Sequence, residues 1–241
     1  IKNDKTSYSH NKGLFETREA ISQYFKRKYN FLYSEEEIIV TNGASEALDT
    51  SLRSIIEPGD DILIPGPIYA GYIPLVETLG GNPVYIDTTQ SYFKVTPELI
   101  ESHLTHKTKA ILLNYPTNPT GVILERSEVK NIVDTLVNKH IFIISDEIYA
   151  ENTFKGQHTS FAEFPEIRDQ LLLIGGLSKS HSATGIRIGF LLGPEYLIEK
   201  LTFMHAYNCI CANVPAQIAC TTALNEGINA PLYLSLIHIS E

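Results

Sequence analysis

Short apolar runs rich in β-branched residues alternate along this chain with longer amphipathic phrases, and the alternation predicts strands and helices in turn. Residues 38–41, 61–64, 84–86, 110–113, 141–144, 171–174 and 186–192 read as strands. A stripe of Leu14, Ile21, Tyr24 and Phe25 predicts a helix entered through a loop at Gly13. Another begins at Thr96-Pro97-Glu98, where threonine caps and proline takes the first helical position. Ser127 is expected to cap a helix running to about residue 138, and residues 195–207 and 214–226 read as two more. The run 141–144 is wholly apolar, as a strand inside a parallel sheet must be. Together these elements predict an α/β fold, a mainly parallel central sheet flanked by helices.

Residues able to do chemistry gather where the expected strands end, which is where α/β proteins build sites. Gly43, Ala44 and Ser45 follow the first strand. Small residues at a strand-to-helix turn let backbone N–H groups approach an anion, and the helix dipole favours negative charge there. A tight turn alone would also explain Gly43. Pro65-Gly66-Pro67 precedes Tyr69 and can hold that ring rigidly, either over a ligand or in the core. Residues 114–121, Asn-Tyr-Pro-Thr-Asn-Pro-Thr-Gly, form a loop locked by two prolines and presenting Asn118, with Asn114 shaping the loop. Asp146 directly follows the apolar run, with Tyr149 close behind. A carboxylate at the end of a buried strand is costly unless it caps a turn or meets a cation. Lys179 sits on the turn after Gly175-Gly176 end a strand, and Arg187 leads into the next. A solvated lysine and a surface-paired arginine are the plain alternative.

Taken as a set, Ser178-Lys179 followed by Thr184-Gly185-Ile186-Arg187, the NxPxNPTG loop, Asp146 with Tyr149, and Tyr69 with Tyr72 resemble the fold-type I, class I/II aminotransferases. The resemblance covers roughly residues 8–227. It implies the cofactor pyridoxal 5′-phosphate (PLP), with Lys179 as Schiff-base lysine and proton shuttle and Asp146 on the ring nitrogen. It places Asn118 and Tyr149 on the phenolic oxygen and Tyr69 against the ring. Arg187 and the turn of Gly43, Ala44 and Ser45 would hold the phosphate. Many members carry a phosphate-binding serine where this chain has Gly176, and Ser178 is expected to take its place. Tyr8, ahead of Gly13 and Arg18, matches a tyrosine that reaches a neighbouring subunit's cofactor phosphate, so a homodimer is implied. The implied substrates are an amino acid and a 2-oxo acid. No arginine occurs in residues 203–213, which disfavours an aspartate specialist. Two rivals use the same residues: a PLP-dependent carbon–sulfur β-lyase, and the PLP-sensing domain of a transcription regulator.

Composition adds limits. The 241 residues are 43% hydrophobic and 20% charged, an ordinary globular balance. A net charge of −9 disfavours a nucleic-acid surface, and no apolar run is long enough to span a membrane. Cys209, Cys211 and Cys220 are odd in number, which suits inert reduced thiols in a cytoplasm. Residues 1–231 are expected to be a PLP-binding large domain, incomplete at its N-terminus and with the small domain largely missing. The ending at 232–241 breaks the helical pattern and is expected to be non-native. The family's arginine for the substrate carboxylate has no counterpart in this chain, so transamination is expected to be weak.

Overall fold

The structure, a computed structural model, describes residues 7–153, 156–227 and 229. Seven strands form one sheet: β1 (Ile38–Thr41), β2 (Asp61–Gly66), β3 (Asn82–Asp87), β4 (Thr108–Asn114), β5 (Phe142–Asp146), β6 (Leu171–Gly176) and β7 (Gly189–Leu192), in the spatial order β1-β7-β6-β5-β4-β2-β3. Strands β2 to β6 pair in parallel, whereas β7 is antiparallel to both β6 and β1. Two reversals return β1 to the direction of β6. One edge of the sheet therefore collects the C-terminal ends of β1, β4, β5 and β6 together with the N-terminal end of β7.

Successive strand residues feed two separate cores, as the two-residue period requires. Leu63, Ile111, Leu113, Ile143, Leu171 and Leu173 face α1 (Phe15–Tyr29), α4 (Pro97–His103), α5 (Arg126–Leu136) and α8 (Val214–Glu226). Ile62, Ile64, Leu112, Ile144, Leu172 and Ile174 face α2 (Ala44–Ile55), α3 (Tyr72–Thr78) and α7 (Glu195–Cys209). Each such side chain stabilises the fold by roughly 1.5–3 kcal/mol relative to leaving it exposed. The result is a three-layer sandwich whose sheet is buried on both sides except at the edge strand β3, where Ile86 alone is buried.

Several boundaries differ from the sequence expectation. Strand β2 continues through Pro65 to Gly66, because its pairing with β4 has already ended at Leu63 and the missing N–H breaks no ladder bond there. Glu125 rather than Ser127 caps α5, in a reciprocal box with Glu128, and the helix stops at Leu136. Gly175-Gly176 do not end β6. They pair with Phe190 and Gly189 of β7, and a Cβ on Gly175 would lie 2.3 Å from the Phe190 ring, so glycine is what lets the strands close up. Lys179 accordingly sits in a short helix, α6 (Leu177–Ser180), and not on a bare turn. Residues 184–186 make a single 3-10 turn, with β7 starting only at Gly189.

All three cysteines are free. Burial pushes the Cys220 thiol up to about 12, and burial together with the Glu46 carboxylate does the same for Cys209, so these two are protonated thiols at neutral pH. The expected foreign ending, residues 232–241, lies outside the described residues.

Candidate cofactor site

A cavity of about 200 Å³ opens on the edge where the strand ends meet. Strand β5 delivers Asp146 to it as its last residue, only 7% exposed. Tyr72 Oη donates to Asp146 Oδ2 at 2.7 Å, and the Ile148 N–H donates to Oδ1 at 3.1 Å. Burial raises the pKa of Asp146, the two hydrogen bonds oppose the rise, and neighbouring Glu147 adds to it. Tyr72 opens α3 and is itself fully buried, its hydroxyl held protonated by burial and by Asp146.

Asn114, the last residue of β4, stands beside Asp146 in register. Its Nδ2 donates to the Asp146 carbonyl at 2.9 Å, and its Oδ1 accepts the Asn118 N–H at 3.0 Å. One side chain thus ties the strand end to the proline-rich loop and fixes Asn118, whose Nδ2 lies 3.5 Å from Tyr149 Oη. Lys179 reaches the cavity from the short helix after β6, its Nζ 5.5 Å from the centre of the Tyr149 ring.

Across the cavity, Ala44 and Ser45 open α2, where first-turn N–H groups have no intrahelical acceptor. Gly43 ahead of them has φ +91°, and a Cβ there would lie 2.4 Å from Arg187 Nη2. Only glycine lets the backbone and the guanidinium come this close. Arg187, itself in the left-handed region at φ 57°, donates through Nη1 to the Thr184 carbonyl at 2.9 Å. Ser178 and Thr184 complete the lining. Tyr69 stands at the opening, 47% exposed, edge-on to Tyr72 with ring centres 5.4 Å apart.

Among the described residues, no ion pair involves Asp146, Lys179 or Arg187. A buried carboxylate without a cation, an unpaired lysine and an unpaired arginine beside free helix N–H groups therefore share one cavity. That donor and acceptor set fits PLP: a ring N–H for Asp146, an aldehyde for Lys179 and a phosphate for Arg187 with the α2 terminus.

Of the residues expected from sequence, Ala44, Ser45, Tyr69, Asn118, Asp146, Tyr149, Ser178, Lys179 and Arg187 all line this cavity. Gly43 stands just behind its lining. Tyr8 is 80% exposed and is not brought to the cavity within this chain. Sequence reasoning gave no site role to Tyr72 or Thr184. Tyr72 had a signal, the second aromatic of the proline loop, one helical turn beyond Tyr69. Thr184 had none beyond its place before Arg187.

The family description "Aminotransferase class I and II" matches residues 1–230. The chain is 45% identical over 235 residues to a probable N-acetyl-LL-diaminopimelate aminotransferase of Bacillus subtilis, covering 97% of this chain and 59% of that protein. It is 37% identical to an aspartate aminotransferase of the same species, covering 94% of this chain and 58% of the relative. Among solved structures, an aspartate aminotransferase variant of Thermus thermophilus superposes with TM-score 0.92 at 29% identity, covering 98% of this chain and 64% of that one. An aromatic aminotransferase of Pyrococcus horikoshii does so with TM-score 0.91 at 31% identity, covering 97% and 64%. The chain spans about three-fifths of the length of these relatives. With the family match running almost end to end, this chain belongs to the class I and II aminotransferases.

Proposed function

We propose that this chain is the PLP-binding part, over residues 1–231, of an aminotransferase that moves an amino group from an amino acid to a 2-oxo acid. The observation that carries the reading is the meeting of three unpaired charges, Asp146, Lys179 and Arg187, in one cavity at the strand ends. Class I and II aminotransferases use PLP. The relatives reported above bear aminotransferase names, which favours this reading over the lyase and the transcription regulator.

Bound PLP supplies an aldehyde that condenses with amines and a protonated ring that draws electrons from the substrate α-carbon. The chain's own residues do the rest. Asp146 accepts the ring N–H and keeps that nitrogen protonated. Lys179 would hold the cofactor through its aldehyde carbon, and its Nζ, when free, would take the proton from the substrate Cα. Asn118 and Tyr149 reach the ring hydroxyl, and Tyr69 covers the ring face. Arg187, the N–H groups of Ala44 and Ser45, and the Ser178 hydroxyl grip the phosphate. Tyr8, exposed and away from its own cavity, is free to reach the cavity of a second copy, in line with a homodimer.

Borohydride reduction of the PLP-loaded protein, followed by peptide mass mapping, tests the reading. The pyridoxyl label should fall on Lys179. Label on another lysine, or on none in a folded protein incubated with PLP, rejects it.

A further inference from the structure

Helices α2 and α7 pack against each other, and their contact holds three side chains of mixed chemistry outside the cavity lining. His205 and Cys209 stand one turn apart on α7, so they share a face of the helix. Glu46, in the first turn of α2, meets both. Cys209 Sγ lies 2.7 Å and His205 Nδ1 2.9 Å from the same carboxylate oxygen, Glu46 Oε1. The sulfur and the nitrogen are 3.5 Å apart. We propose that Glu46, His205 and Cys209 bind one Zn²⁺ ion.

The geometry is close to what zinc requires. Bonds of about 2.3 Å to sulfur and about 2.0–2.1 Å to nitrogen, at a tetrahedral angle, put the two ligand atoms about 3.6 Å apart. The Cys209–His205 edge already has that length. Glu46 Oε1 must withdraw by less than about 1 Å to open the triangle to the size of a zinc site. Its other oxygen is fixed by the Asn42 N–H at 2.5 Å, the kind of outer contact that orients a metal-binding carboxylate. Thiolate, imidazole and carboxylate together form a ligand set that suits zinc and neither calcium nor magnesium.

Charge and protons balance. Zn²⁺ replaces the thiol proton of Cys209, which leaves to solvent, and binds Nδ1 of a neutral His205 whose remaining proton is on Nε2. One thiolate and one carboxylate then neutralise the ion. Cys209 and Glu46 are only partly buried, so a water completes the fourth position. Glu46 directly follows Ala44 and Ser45. The ion therefore pins to α7 the helix end that lines the cavity. This site needs no PLP and stands apart from the transaminase reading.

Equilibrium dialysis of the PLP-free protein against Zn²⁺ alone, with metal analysis, is the test. Wild type and Cys220→Ser should each retain one zinc per chain, and Cys209→Ser and Glu46→Gln should bind more than about 100-fold more weakly, beyond the effect of losing an outer contact. Zn²⁺ should raise the thermal unfolding midpoint of wild type and Cys220→Ser but not of Cys209→Ser. Co²⁺ provides a readout that needs no variant: loaded wild type should show a sulfur-to-cobalt charge-transfer band. No zinc retained by wild type, no such band, or binding that both substitutions leave unchanged would each overturn the proposal.

Discussion

The hydroxyl of Tyr72 donates a 2.7 Å hydrogen bond to Asp146 Oδ2, joining the first turn of α3 to the end of β5 across 74 residues of sequence. Both partners are buried. In the role proposed for Asp146, holding a ring N–H as an ionised carboxylate, this bond opposes the upward pull of burial on its pKa. Removing a hydrogen bond to a charged group costs about 1.5–3 kcal/mol. Tyr72→Phe is therefore expected to slow the single-turnover reaction of the PLP-loaded protein with an amino acid by about tenfold or more, at about 1.4 kcal/mol per factor of ten. Lys179 labelling by borohydride should persist. A normal rate would deny Tyr72 any part in tuning Asp146.

Asp146 also makes a prediction about the PLP-free protein, with an unusual sign. Its folded pKa is raised, so the native state holds the proton more tightly than the unfolded chain does. Stability then falls as pH climbs from the unfolded value near ~3.9 through the folded one, and the loss persists above it. Asp146→Asn removes this loss and keeps one oxygen to accept from Tyr72, while its amide NH2 gives up the bond from the Ile148 N–H. Without PLP, the variant should unfold at a higher temperature than wild type at pH 7, and the gap should close toward pH ~4. With PLP the order should reverse. A stability difference between variant and wild type that does not change from pH ~4 to pH 7 would show that ionising Asp146 costs the fold nothing.

Much of this was legible in the chain. The fully apolar runs at β4, β5 and β6 mark strands buried on both faces, and the residues after them line the cavity. What was not legible depends on partners distant in sequence. Gly175-Gly176 read as a stop because local propensity says so, yet Phe190 on β7 makes them strand. Ser127 looked like a cap, but the cap lies two residues earlier, where Glu125 and Glu128 satisfy each other. Tyr72 could be quoted from its phrase, whereas its bond to Asp146 exists only once α3 and β5 pack. Tyr8 is the reverse case, a residue whose expected role cannot be fulfilled inside one chain, since it is 80% exposed.

Behind Asp146, Glu147 and His158 form a buried pair at 2.7 Å, with Ser145, Ser160 and the Phe161 N–H also donating to Glu147. Burial alone would lower the His158 pKa, but the Glu147 carboxylate more than offsets it and the net shift is upward. A raised histidine contributes stability that is full below its unfolded value near ~6.5 and is lost as pH rises through the folded value. Urea unfolding should therefore give wild type its largest advantage over His158→Gln just below pH ~6.5, shrinking at higher pH. An advantage that is flat or grows with pH would show that His158 is not paired as a cation.

The phosphate side of the cavity allows a test that separates grip from chemistry. Arg187 and the start of α2 come together only because Gly43 has no side chain: its φ is +91°, and a Cβ would lie 2.4 Å from Arg187 Nη2. Gly43→Ala both strains the turn and displaces the guanidinium. Arg187→Lys leaves the backbone alone but replaces a planar two-pronged donor with a point charge. Neither change touches Lys179 or Asp146. Both variants should lose affinity for PLP by tenfold or more, about 1.4 kcal/mol or above, while their affinity for pyridoxal, which has the aldehyde and ring but no phosphate, should stay near that of wild type. The ratio of the two dissociation constants, read from cofactor absorbance, is the quantity to compare. If both ligands weaken equally, the loss comes from general disruption of the site and Arg187 is not a phosphate ligand. If neither weakens, the anion lies elsewhere and the turn at Gly43 is only a turn.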